Sequence, residues 1–180
     1  LNTISPYLLN SKDDTLDVTV LRYDEELTFT VKCTDSAYSL WAPRSSHELL
    51  ENNIGLINPS KLGKGEIHEI MQEFADTDGL IVDLRQYPAD NIMYSLASYL
   101  VDRYTPFAIL SFPSGAVPGT FLKNRVYGSG LTKDWPKSFF YENEVVILMN
   151  EQSQSSAEFT IMSLRNGPNV TVMGENSIGS

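Results

Sequence analysis

The chain has 180 residues, with 13 Lys and Arg against 23 Asp and Glu, and a formal net charge of −10 with both His neutral. That length can bury a full core, but so acidic a chain has no clustered Lys or Arg with which to meet a nucleic acid or an anionic membrane surface. A content of 42% hydrophobic and 11% aromatic residues is that of a globular protein, and the single cysteine, Cys33, offers neither an internal disulfide nor zinc-ligand spacing.

Near the start, residues 6–10 have room for a short helix. Leu16-Asp17-Val18-Thr19-Val20-Leu21 and Leu27-Thr28-Phe29-Thr30-Val31 then alternate around the polar turn Asp24-Glu25-Glu26, a hairpin signature. Two strands and a helical turn are too few to bury a core, so residues 1–34 either pack on the main domain or belong to a domain whose front half is absent, and the second reading is favoured. Residues 35–53, with Pro43 and several Ser and Asn, read as a connector. From residue 54 the pattern alternates strand and helix. Ile54-Gly55-Leu56-Ile57 is a short apolar run, and Ile67, Ile70, Met71 and Phe74 mark one helical face within residues 65–76. Residues 79–84 form a nearly continuous apolar strand of the kind buried on both faces. Helical spacing returns over 91–103 through Ile92, Leu96, Tyr99 and Leu100, and residues 107–112 are a further strand. Residues 113–140 have no sustained period and read as a long irregular excursion. Val145-Val146-Ile147-Leu148-Met149 is the most apolar strand, residues 156–164 a helix and residues 170–173 the last strand. Strands joined through helices imply an α/β fold with a largely parallel sheet. The sequence opens at Leu1 without Met or a signal-like segment and stops at Ser180 after a Gly-containing run, so it reads as part of a longer chain.

The chemistry concentrates in Asn150-Glu151-Gln152-Ser153-Gln154-Ser155-Ser156-Ala157-Glu158, between the most apolar strand and a helix. Free N–H groups and the positive end of the helix dipole face outward at such a turn and suit an oxyanion. A serine there has two readings: a nucleophile whose intermediate is stabilised by the next N–H, or an ordinary cap, since Ser155 followed by Glu158 is also a capping box.

The run resembles the nucleophile segment of the C-terminal processing peptidases, the tail-specific protease and tricorn-core group of serine peptidases, with Asn-Glu followed by Ser-x-Ser-Ala-x-Glu. Gly79-Leu80-Ile81-Val82-Asp83-Leu84-Arg85 is similar to that family's Gly-Leu-Ile-hydrophobic-Asp-Leu-Arg strand, and Gly174-Glu175-Asn176-Ser177-Ile178-Gly179 to its Gly-Glu-x-Thr-x-Gly loop. Residues 1–34 resemble the closing helix and strands of a PDZ domain. The resemblance implies a crotonase/ClpP-like layered core over 54–180, preceded by the C-terminal part of a PDZ-like domain. It implies Ser155 as nucleophile, oxyanion-hole N–H groups on Ser156 and Ala89, and site support from Asp83, Arg85, Glu158, Glu175 and Ser177. It also implies no metal or organic cofactor, an extended peptide or unfolded-protein substrate, and a periplasmic or exported parent protein.

Two positions depart from the family pattern. Asn-Pro-Gly-Gly after Asp-Leu-Arg is replaced by Gln86-Tyr87-Pro88-Ala89-Asp90, which removes both glycines and brings a negative charge toward a developing anion. The lysine of a Ser-Lys dyad would stand at Ser180, whose neutral hydroxyl cannot serve as the base. In the tricorn type the base is a His from a segment before the PDZ domain. Ser46-His47 lies after the PDZ-like remnant and does not map onto it, and His68 reads as a structural or solvated residue beside Ile67, Ile70 and Met71. Asp83 and Arg85 also fit a structural ion pair, and Trp41, Trp135 and Tyr127 either line a groove or anchor a loop. The functional readings are therefore a serine endopeptidase core with its base outside these residues or lost, a non-catalytic peptide-binding module of the same fold and, with no CoA signature to support it, a crotonase-type acyl-CoA enzyme.

Overall fold

The computed structural model describes residues 14–32, 45–129 and 139–179, which fall in two units, 1–42 and 43–180. In the first, β1 (Thr15–Arg22) and β2 (Glu25–Lys32) pair antiparallel with Val18 opposite Phe29. The turn falls on Tyr23 and Asp24, both at positive φ (52° and 65°), the two-residue geometry whose twist suits a hairpin. Alternation then sorts the side chains. Leu16, Val18, Val20, Leu27, Phe29 and Val31 share one face, and on the other Thr30 Oγ1 donates to Asp17 Oδ1 at 2.6 Å. The helix expected at residues 6–10 lies outside the described residues, as do Cys33 and Trp41.

The second unit is built on a five-stranded sheet in the order β3 (His47–Leu50), β4 (Ile54–Ile57), β5 (Gly79–Asp83), β8 (Glu144–Met149) and β9 (Val170–Gly174). All neighbours run parallel except β3, which pairs antiparallel with β4. Strand β3 lies inside the segment read as a connector; four residues with half their positions charged or titratable are too brief to announce a strand. A short, polar edge strand is also a safe way to end a sheet.

Among the described residues the α-helices are α1 (Ile67–Glu73), α2 (Met93–Leu100) and α3 (Ser156–Leu164). Strands β4, β5, β8 and β9 follow one another in a single direction, so right-handed crossovers put all three helices on one face of the sheet. The core lies there: Ile57, Leu80, Val82, Val145 and Ile147 pack with Ile70, Met71, Leu96, Ala157 and Leu164. On the opposite face Leu56, Ile81, Val146 and Leu148 are only half-buried. Strand β5 is therefore covered on one face rather than two, and its continuous apolar run reflects two apolar faces of unequal burial. Gly55 lets the end of α1 approach, since a Cβ there would stand 2.6 Å from the Phe74 ring.

The excursion expected over 113–140 is partly regular. Strands β6 (Tyr104–Pro113) and β7 (Phe121–Ser129) form an antiparallel hairpin separate from the main sheet, so the strand expected at 107–112 does not join it. Lys123, Asn124 and Arg125 hide the period of β7, while the apolar ends hold the hairpin. Tyr104 stacks on Tyr127 with ring centroids 4.5 Å apart, and Phe107 meets Phe159 of α3 edge-on at 5.0 Å. Trp135 lies outside the described residues.

Candidate active site

Open parallel sheets place ligands at the carboxyl ends of their strands. At that edge β5 ends on Asp83, β8 on Met149 and β9 on Gly174. The chain leaving β8 is tied down on several sides. The Leu84 N–H donates to the Leu148 carbonyl at 2.9 Å, extending the ladder past β5. Ser153, fully buried, donates its hydroxyl to the Leu84 carbonyl at 2.7 Å and accepts the Asn150 N–H at 3.1 Å. The Gln152 N–H donates to Asn150 Oδ1 at 3.0 Å, an Asx turn. From the far side, the Glu175 N–H donates to the Met149 carbonyl at 3.2 Å and the Ile178 N–H to the Glu151 carbonyl at 3.4 Å. Gly174 makes this return possible. It holds φ at 126°, and a Cβ there would overlap the Met149 carbonyl.

Ser155 stands at the summit of this turn with φ 50° and ψ −106°, directly before α3. An ordinary N-cap adopts extended backbone angles; a non-glycine residue at positive φ in a strand-to-helix turn is strained, and strain of this kind collects at functional sites. The Ser155 N–H donates to Glu158 Oε2 at 2.9 Å, the return half of the capping box foreseen in the sequence. The other Glu158 oxygen, Oε1, accepts the Ser177 hydroxyl. One carboxylate thus binds both the strained turn and the loop after β9. Ser156 is the first residue of α3, where helix amides lack intrahelical partners.

Beside Ser155 opens a cleft of about 550 Å³, walled by Ser155, Ser156 and Glu158 with Phe159 and Met162 of α3 on one side and Asn91, Met93 and Tyr94 at the start of α2 on the other. The α2 contribution was hidden in the sequence, where Tyr94 counts only as an off-face position of an amphipathic helix.

The remaining expected residues divide. Asp83 and Arg85 bind each other, with Arg85 Nε 2.9 Å from Oδ1 and Nη2 2.7 Å from Oδ2. Hydrogen bonding to Asp83 is the main reason the Arg85 pKa is raised, with desolvation opposing it and the Coulombic attraction of Asp83 adding to it. Ala89 does not present a free amide, because its N–H donates to the Pro59 carbonyl at 2.9 Å. The Asp90 carboxylate accepts the Asn91 N–H at 2.8 Å and lines a smaller neighbouring cavity instead of the Ser155 cleft. His47 lies between Ser46 Oγ at 3.0 Å and Glu73 Oε2 at 3.2 Å on the β3 side of the sheet, and His68 Nδ1 meets the Tyr99 hydroxyl at 2.8 Å. Neither His lines the cleft. Among the described residues, no group of three or more His, Cys, Asp or Glu is placed to hold a metal ion, and no helix is long and apolar enough to cross a membrane. Ser180 lies outside them.

A family model described as peptidase family S41 matches residues 53–180. No curated protein matches the sequence. Among solved structures, a protein from Parabacteroides merdae ATCC 43184, described as a candidate peptidase, is similar with a TM-score of 0.56 and 23% identity over 71% of this chain and 42% of its own. The photosystem II D1 C-terminal processing protease aligns with a TM-score of 0.54 and 13% identity over 92% of this chain and 44% of its own. Mature CPAF in complex with lactacystin gives 0.50 and 13%, over 88% and 53%. At these identities the three structures speak for the fold, and the chain spans about half or less of each.

Proposed function

The chain belongs to peptidase family S41, and from that premise we propose that it is the core of a serine endopeptidase that cleaves peptide bonds by acyl transfer through Ser155. The observation that carries this reading is the strained backbone of Ser155, φ 50°, at a strand-to-helix turn that opens on a cleft. In the reaction the Ser155 hydroxyl loses its proton to a base and attacks the scissile carbonyl. The oxyanion that forms is met by the Ser156 N–H at the positive end of α3, with the Ala89 N–H as second donor once it leaves Pro59. Collapse expels the amine and leaves an acyl-Ser155, which water then hydrolyses. Glu158 and Ser177 hold the turn and its neighbouring loop, and Asp83 with Arg85 stiffens the end of β5. The base belongs to a segment outside the described residues. A substrate of this site is an extended peptide, held as an added strand, and the parent protein is an exported one with a PDZ-like unit ahead of the core.

A second reading is supported by one specific observation. With the Ala89 amide engaged and no glycine in 86–90, this fold would bind a peptide without cutting it. Treating the full-length protein with a fluorophosphonate separates the two. An adduct on Ser155 that disappears in Ser155→Ala establishes the peptidase; a folded protein that takes no label leaves the binding module.

A further inference from the structure

The segment 90–95 stands between two cavities. Met93 and Tyr94 face the Ser155 cleft, Ile92 and Ser95 face a second cavity of about 180 Å³, and Asn91 borders both. We propose that this second cavity is a side-chain subsite of the same peptide site, taking one compact apolar side chain of the bound chain. The inference rests on the reading of the Ser155 cleft as a peptide site.

Size, chemistry and access support it. A volume of about 180 Å³ lies below the roughly 300 Å³ at which sites for whole small molecules begin, so it suits a single side chain. Its inner wall is apolar, with Ile67 and Ile92 almost fully buried. Lys64 and Asp90 line it with opposite charges, which gives a charged side chain no net attraction to offset its desolvation. The approach on one side is open at Gly65, where even an added Cβ would meet nothing within 4 Å, while at Gly63 the Glu66 carboxylate accepts the backbone N–H at 2.8 Å and closes the surface. In an extended peptide, alternate residues point the same way about 6.8 Å apart, so a chain crossing the Asn91 ridge can fill both cavities at once.

The test is a positional series of internally quenched polyalanine octapeptides, carrying Leu, Trp or Asp singly at each position, turned over by the full-length protein. Two positions are expected to respond. One reports the larger cleft. At the other, Leu is preferred over Ala, Asp and Trp by about 10- to 200-fold in kcat/KM, the range a snug apolar pocket provides. His68→Trp, which fills the cavity from its wall, is expected to shift that second position from Leu to Ala; if the variant does not fold, the wild-type series alone decides. A profile flat everywhere but one position, or a second position that accepts Trp as well as Leu, overturns the subsite while leaving fluorophosphonate labelling of Ser155 intact. If Ser155 takes no label and no peptide is cleaved, the peptidase reading fails instead. The same peptides are then ranked as competitors of a fluorescein-labelled peptide by anisotropy, where the same order at two positions supports the subsite and a flat order overturns it.

Discussion

Glu158 joins two elements through one carboxylate, and its removal has a calculable effect. Oε2 accepts the Ser155 N–H at 2.9 Å and Oε1 accepts the Ser177 hydroxyl. Hydrogen bonds to a charged group contribute about 1.5–3 kcal/mol when well buried. Glu158 is half-buried and Ser155 exposed, so each bond falls at or somewhat below that lower end, about 1–1.5 kcal/mol, and Glu158→Ala is expected to cost about 2–3 kcal/mol for the two. Glu158→Gln keeps an oxygen for the Ser155 N–H and turns its NH₂ toward the Ser177 hydroxyl, which can accept. Only the charge assistance is lost, a cost below about 1 kcal/mol. At about 4 °C per kcal/mol for a unit of this size, the Ala variant should melt roughly 8–12 °C lower and the Gln variant less than about 4 °C lower. Strained backbone persists only where its surroundings impose it. Loss of the carboxylate should therefore relax the turn and slow fluorophosphonate labelling of Ser155 by at least about tenfold, equivalent to about 1.4 kcal/mol. Near-UV circular dichroism melts and labelling time courses read both effects. An Ala variant that melts within a degree of wild type and labels at the wild-type rate would refute the reasoning and reduce Glu158 to an ordinary acidic residue in a helix's first turn.

Ser153→Ala strands the buried Leu84 carbonyl and Asn150 N–H and is expected to cost about 2–4 kcal/mol in urea unfolding; a change under half a kcal/mol would mean that water replaces the hydroxyl. Gly174→Ala forces a Cβ onto the Met149 carbonyl at a φ of 126°, for which about 2 kcal/mol or more is expected, with faster proteolysis of the loop at 175–179; an unaltered melt and cleavage pattern would contradict it. Burial raises the pKa of Tyr141, which hydrogen-bonds Thr77, while the same phenol in the unfolded chain ionises near its ordinary pKa of about 10. The folded state therefore keeps a proton that the unfolded state releases, so the contribution of Tyr141 to stability is constant below about pH 10 and is lost progressively above it. Urea midpoints between pH 9 and pH 11 should fall more steeply for wild type than for Tyr141→Phe, and parallel slopes would remove this contribution.

Elements that bury one face against the helices were plain in the sequence, because burial there imposes a period. The α3 range of 156–164 and the strands around Val82, Ile147 and Val172 emerge as read. Elements whose order depends on a neighbour did not show. Strand β3 exists because Leu49 and Leu50 pair with Gly55 and Ile54, and β7 because its exposed Lys123 and Arg125 lie opposite Ser111 and Ile109 of β6. At the site, the Ser155 to Glu158 spacing was visible as a capping box, yet what separates a strained turn from a common cap is a backbone angle that no residue type announces. Ser153 is inconspicuous in the sequence for the opposite reason. A serine in a polar run looks solvated until the fold closes it over the Leu84 carbonyl. The engagement of Ala89 with Pro59 joins residues thirty positions apart through backbone atoms alone, which no side-chain pattern can encode.

The two sides of the site thus differ in readiness, and magnitudes decide how much that matters. On the Ser155 side every restraint is in place. On the other side the Ala89 N–H is spent on Pro59, a bond between neutral groups whose net contribution is about 0.5–1.5 kcal/mol. An oxyanion-hole donor supplies about 2.7–4 kcal/mol to the transition state. The exchange of one for the other is favourable if residues 86–90 can move, and their conformation is held at Pro59 and at the Asn91 N–H that Asp90 accepts. Asp90 then matters more than the missing glycines. While its carboxylate stays turned toward the smaller cavity it adds little repulsion at the Ser155 cleft, but a shift that frees Ala89 also moves Asp90. Under the peptidase reading Asp90→Asn, which keeps the Asn91 bond through its amide oxygen and removes the charge, should raise the rate of Ser155 acylation, and under the binding one it should leave that rate at zero.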